Sequence, residues 1–121
     1  MSTGQQNLAL GRYGEDVALR ALEEQGLVLL ERNWRCRAGE IDLILTEGET
    51  VVFCEVKTRR TTAYGHPLEA VTPVKAARLR LLAERWLEEQ GRRRVDVRID
   101  VVSVLQDGHG AGRVEHLRGV V

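Results

Sequence analysis

The sequence is poor in aromatic residues: two tryptophans, two tyrosines and one phenylalanine among 121 residues. That is too few for a platform on which single-stranded bases stack, and it obliges any core to be built from Leu, Val, Ile and Ala. Cysteine is equally scarce. Cys36 and Cys54 form neither a metal-ligand spacing nor a disulfide framework, and Cys54, inside an apolar run, is expected to pack as a small hydrophobe. No apolar run reaches the length of about 20 residues that crosses a bilayer, and no N-terminal stretch has the basic-then-apolar pattern of a signal peptide. A cytoplasmic protein in a reducing compartment is the expectation. An excess of one charge is missing too. Lys plus Arg is 18 and Asp plus Glu is 18, which speaks against a protein that coats nucleic acid by charge alone. Basic residues nevertheless cluster locally, at Arg35, Arg37, Arg59, Arg60, Arg78, Arg80 and the run Arg92, Arg93, Arg94. There is no glycine-rich phosphate loop and no Ser/His/Asp arrangement. His66, His109 and His116 are scattered without metal-ligand spacing and read as loop or surface residues.

What is present suits one domain spanning residues 1–121, with residues 1–7 disordered. Apolar residues make up 43% of the chain, enough for a single core. From Leu8 to Gln25 the pattern is helical, with Val17, Ala18, Ala21 and Leu22 on one face and Gly26 past the last turn. Strands are expected over 27–34, 40–46 and 50–57, the last so apolar that it should be central and covered on both faces. Glu47, Gly48 and Glu49 form a short hairpin connection. Residues 59–71 read as a long loop. Thr72-Pro73 is a helix start, a hydroxyl N-cap followed by proline, and that helix runs to about Gln90 with Leu79, Leu82, Ala83 and Trp86 as its apolar stripe. A strand over 95–105, a glycine-rich turn over 106–112 and a short strand over 113–120 complete the chain. The fold class is α/β: a mixed sheet of about five strands flanked by helices, in which the helix after the third strand makes the crossover to a parallel fourth.

The acids carry the chemical interest. Asp42 interrupts a strand of Ile and Leu, and Glu55 and Lys57 end the most apolar strand. Two residues apart in a strand, Glu55 and Lys57 share a face about 6.6 Å apart. Pairing about the turn at Gly48 sets residue 42 opposite a residue near 54–56, so Asp42 and Glu55 are candidate cross-strand neighbours. Carboxylates so placed repel unless a cation sits between them, and hard oxygen ligands suit Mg²⁺ or Mn²⁺. The Val56 carbonyl is a further candidate ligand, and Lys57 a group that orients water or neutralises charge developing on a phosphate. Glu15, at the edge of the first helix's apolar stripe, is a third acid aimed near the sheet, and Gly14 beside it permits close approach. The plainer alternative is a solvated Glu15 and an exposed Glu55–Lys57 ion pair.

Taken together these residues resemble a known motif. Asp42, twelve intervening residues, then Glu55-Val56-Lys57 is similar to the PD-(D/E)XK motif of restriction-endonuclease-like nucleases, with Ile41 where the motif's name has proline. The order helix, three strands, helix, strand resembles that superfamily's core, and Glu15 matches the extra acid of its Holliday junction resolvase-like branch. More closely, Gly14-Glu15, Arg32-Asn33-Trp34-Arg35, Gly39-Glu40-Ile41-Asp42-Leu43-Ile44 and Glu55-Val56-Lys57-Thr58-Arg59 resemble the YraN-type family of bacterial proteins, over nearly the whole chain. The resemblance implies a nuclease fold, a Mg²⁺ site on Glu15, Asp42 and Glu55 with Lys57 assisting, and DNA rather than RNA as partner. Arg59, Arg60 and Lys75 are candidate phosphate contacts; Lys75 opposes the dipole at its helix N-terminus. The alternative function is a non-catalytic nucleic-acid-binding module on the same fold. A homodimer is expected if two strands are to be cut. Of the remaining charges, Glu40 is expected to pair with an arginine across the strands, Asp100 to make a structural hydrogen bond, and Arg92 to Arg94 to complement a helix C-terminus.

Overall fold

A computed structural model gives the fold for residues 4–60, 71–92, 94–106 and 113–120, with side chains described from residue 12 onward. Most of the expected loop over 59–71 and of the glycine-rich turn therefore lies outside the described residues, as do His66, His109 and Arg93. The elements are α1 (Gly4–Glu24), β1 (Val28–Cys36), β2 (Gly39–Glu47), β3 (Thr50–Arg59), α2 (Pro73–Glu89), β4 (Asp96–Leu105) and β5 (Arg113–Leu117). Their order and the mixed α/β class are those expected. α1 begins at Gly4 rather than Leu8, so residues 4–7 are helical; residues 1–3 lie outside the description.

The helix ends follow their local chemistry. Leu27 N–H reaches back to the Leu22 carbonyl at 3.1 Å while Gly26 adopts φ 94°, a closure that favours a residue without Cβ. α2 opens with Thr72 Oγ1 accepting the Lys75 N–H at 3.2 Å and with Pro73 in its first turn. It is followed by Gly91 at φ 66°.

The five strands lie in the order β1-β2-β3-β4-β5. Only β3 and β4 are parallel, joined through the segment that contains α2; the other neighbours are antiparallel. β3 is thus central, as its apolar run suggested. Its alternate residues feed two cores. Val52 and Cys54 pack with Ala18 and Leu22 of α1. Val51 and Phe53 pack with Leu79, Leu82, Ala83 and Trp86 of α2, the stripe read from the sequence. Phe53 and Trp86 meet edge-to-face at 5.7 Å, a favourable aromatic geometry. Among the described residues no helix is long and apolar enough to cross a membrane.

The β1–β2 register shifts between Leu29 and Glu31, and the alternation slips again further along, where the slip positions the site. Ile41 and Ile44 both belong to the α2-side core, while Leu43 belongs to the α1 side. Strict alternation would set residues 41 and 44 on opposite faces. Across on β1, Glu31 bonds Trp86 and Trp34 lies in the same α2-side core, again three residues apart. The residue between is Asn33, at φ 55°, bracketed by the pairs Arg32↔Leu43 and Trp34↔Ile41. Asn33 and Asp42 therefore face each other where both strands shift by one.

Midway along β4, Asp100 is fully buried. It accepts both Nε and Nη2 of Arg98 at 2.9 Å, the Gly119 N–H at 2.9 Å, and lies 2.7 Å from His116 Nε2. Burial opposes its charge, but these partners outweigh it and hold the carboxyl below the usual range. The structural hydrogen bond expected of Asp100 is thus present several times over. His116 corrects an expectation: it is not a surface residue. β5 pairs it with Val102, which turns the ring between Asp100 and Gln25, and its side chain is only 8% exposed.

Candidate functional site

The β2–β3 ladder runs from Glu47↔Thr50 to Leu43↔Cys54 and stops. The next opposed residues are Asp42 and Glu55, in the register the sequence suggested. Here the strands part, and the Val56 N–H is given to Asp42 Oδ2, at 2.8 Å, in place of a strand carbonyl. A side chain has replaced a rung of the ladder. That fixes the Asp42 carboxylate in the fork between β2 and β3.

The position is electrostatically costly. Burial, then the charges of Glu15, Glu55 and Glu40, push the Asp42 carboxyl up to about 6, against the lowering effect of the Val56 N–H. Both kinds of influence disfavour the ionised form. Glu55, on the α2 side of β3 by alternation from Phe53, is approached by two ammonium groups. Its Oε1 lies 3.3 Å from Lys57 Nζ and 3.1 Å from Lys75 Nζ. Lys57 comes from the same strand two residues on, and Lys75 from the first turn of α2, where the Thr72 cap holds the backbone. Burial and the neighbouring Lys57 lower the Lys75 pKa. Lys57 goes the other way: burial works against its charge, but Lys75 and the Glu55 carboxylate outweigh it.

Glu15 arrives from the opposite face. A Cβ at Gly14 would collide with the Thr58 side chain, so only glycine lets α1 come this close to the end of β3. The next residue, Glu15, is then near enough for its charge to act on Asp42. Its Oε1 is held at 3.1 Å by Arg32 Nε, whose Nη1 also reaches Asp16 Oδ1 at 2.7 Å. Arg32 is a positioning residue, and in the sequence it is one more cation in a strand, with no spacing that marks Glu15 and Asp16 as its partners. Glu40 pairs with Arg35 across β1 and β2 at 3.2 Å, as expected.

Of the residues singled out from the sequence, Asp42, Glu55, Lys57 and Lys75 stand at one fork, with Glu15 adjoining from the other helix. Val56 supplies its amide there. Arg59 ends β3 two residues past Lys57, and its carbonyl accepts the Gln106 N–H at 2.6 Å; Arg60 follows it, exposed. Among the described residues, no three His, Cys, Asp or Glu side chains are gathered tightly enough to hold a metal ion. Glu15 is paired with Arg32, and Glu55 with the two lysines.

A model of the uncharacterised protein family UPF0102 matches residues 14–104, which takes in every residue of this fork. The chain belongs to that family. A UPF0102 protein of Beutenbergia cavernae is 62% identical over 112 residues, covering 93% of this chain and 95% of the relative. One of Streptomyces griseus is 58% identical over 93% of this chain and 95% of its own, and one of Nocardioides sp. is 55% identical over 93% and 90%. The YraN-type resemblance is thereby borne out at the level of family.

Proposed function

We propose that this UPF0102 protein is a divalent-metal-dependent endonuclease that hydrolyses phosphodiester bonds of DNA, branched or otherwise structured DNA included. The observation that supports this reading best is the Asp42 carboxylate. It is part-buried, pinned to the Val56 amide, and pushed up to about 6, first by the loss of water around it and then by three neighbouring acids. A dication beside it would relieve that repulsion, and the donor set of Glu15, Asp42, Glu55 and the Val56 carbonyl is all hard oxygen, the kind that Mg²⁺ or Mn²⁺ takes. Bound there, the ion would supply a water of lowered pKa and a counter-charge for the phosphate.

The chain's own groups do the rest. Glu15 and Glu55 have to turn from Arg32, Lys57 and Lys75 toward the fork, which frees the guanidinium and the two ammonium groups. Lys57, an ammonium at neutral pH, donates a hydrogen bond to a phosphoryl oxygen or to the attacking water. Lys75, with Arg59 and Arg60, neutralises flanking phosphates. One fork per chain cuts one strand, so severing a duplex calls for a homodimer or two encounters.

The same cation partners favour a second reading, a nucleic-acid-binding module that needs no metal. Incubation with Mg²⁺ or Mn²⁺ and a panel of linear, forked and four-way DNAs separates the two. The nuclease reading expects cleavage that Asp42→Ala and Lys57→Ala abolish. Binding without cleavage across the panel leaves the module.

A further inference from the structure

The arginines of the sheet are mostly committed to acids. Arg32 is held by Glu15 and Asp16, Arg98 by Asp100 and Glu47, Arg118 by Glu47, and Arg35 by Glu40. Arg37 and Arg78 enter none of these pairs, and both are exposed.

The fold brings these two together. Arg37 and Ala38 form the tip of the β1–β2 hairpin, closed by the pair Cys36↔Gly39. Cys36 and Ala38 pack against the core that holds Leu79 and Leu82, so the tip lies alongside α2. Gly39 is the point of contact: a Cβ there would stand 3.5 Å from Leu82 and 3.8 Å from the Arg78 side chain. Arg78 follows Lys75 by three residues, which puts both on one flank of the helix, and Lys75 touches Glu55. A row of positive groups therefore leads out of the fork, from Lys75 to Arg78 to Arg37. Glu40 is the acid along this edge, and Arg35 covers it.

The row also runs against what the helix alone would favour. α2 has no acid in its first turn and no base in its last, the reverse of the arrangement that its dipole rewards. Only Lys75 lies in the first turn, and Glu55 accounts for it; Arg78, one turn on, enters none of the ion pairs above. In a protein of zero net charge, a basic edge leading from the fork is complementary to a polyanion laid across it.

We propose that the β1–β2 hairpin tip and the adjoining flank of α2, through Arg37 and Arg78, form a docking edge for the phosphodiester backbone of duplex DNA, steering one arm of it toward the fork. This rests on the nuclease reading for its choice of polyanion, but it concerns binding and not cleavage.

The test is binding of a fluorescent 30-bp duplex by anisotropy in EDTA, across a salt series, for the wild type, Arg37→Glu/Arg78→Glu and Arg20→Glu. Arg20 is exposed on α1, across the sheet. The double variant is expected to lose at least about tenfold in affinity, with the slope of log K against log salt shallower by about one to two, while Arg20→Glu leaves both unchanged. Its thermal melt should stay close to that of the wild type, since both side chains are exposed. Wild-type binding with the same affinity and slope in the double variant overturns the docking edge and leaves the nuclease reading intact. Equal losses in Arg20→Glu reduce the effect to net charge and also overturn it. No duplex binding by the wild type overturns the docking edge. Cleavage lost in Asp42→Ala while duplex binding persists bears on the nuclease reading alone.

Discussion

Asp42 is ionised at neutral pH at the fold's expense. Burial and the neighbouring acids push its carboxyl up to about 6 in the folded state, from an ordinary value of 3.8, so between those values the folded state binds more protons than the unfolded one and stability falls as pH rises. The penalty is absent below the unfolded value and complete above the folded one. Asp42→Asn keeps an oxygen for the Val56 N–H and removes the charge. It is expected to stabilise the protein at pH 7 by on the order of 2 kcal/mol, with the gain vanishing by about pH 4; urea titrations at several pH values measure it. Mn²⁺ should also stabilise the wild type more than the variant. Asp100 is the contrast: its carboxyl is lowered, so its contribution is present above the unfolded value and is lost only as acid reaches the folded one. Two aspartates of one sheet, one part-buried and one buried, thus pull stability in opposite directions with pH, because the first has acids around it and the second has Arg98, His116 and a backbone N–H.

At the scale of elements, the meeting of α1 with β3 depends on a missing side chain. Gly14→Ala drives a Cβ into Thr58, an overpacking expected to cost about 1–3 kcal/mol. Thr58→Ala should return part of that, because it removes the nearest atom while the Thr58 backbone stays; a double-mutant cycle in denaturant reads the coupling. The stripe and cap of α2 were readable in advance, since Leu79, Leu82, Ala83 and Trp86 recur at helical spacing and Thr72-Pro73 is a local signal. The slip at Asn33 and Asp42 was not. It comes from a left-handed residue on β1, and nothing in an alternating strand announces where its neighbour will shift. The helical start of α1 at Gly4 was missed for a related reason: residues 4–7 are polar and lack the apolar period that marks a buried helix.

At the scale of the molecule, the antiparallel pairing of the first three strands and the parallel direction of the fourth followed from connection lengths, and the fork followed from counting residues about Gly48. What sequence spacing did not reveal was the allocation of cations. Arg32, Lys57 and Lys75 each approach an acid that the sequence reading had reserved for a metal. Such pairings join residues far apart along the chain and have no period to betray them. The same is true of the cluster around Asp100, assembled from β4, β5, the end of α1 and the residues after β5. Gly119 gives it a backbone N–H, Arg118 reaches Glu47 and Gln25, and Val120 N–H bonds the Ile99 carbonyl at 2.9 Å.

Those last few residues are therefore a fastening and not a fringe. A chain shortened to end at Leu117 would strip a buried carboxylate of one donor and leave Glu47 to Arg98 alone, and it should melt well below the full chain in a thermal scan. Cutting the chain back past Arg118 is the wrong way to trim the protein for crystals, because it opens the clasp that secures the sheet.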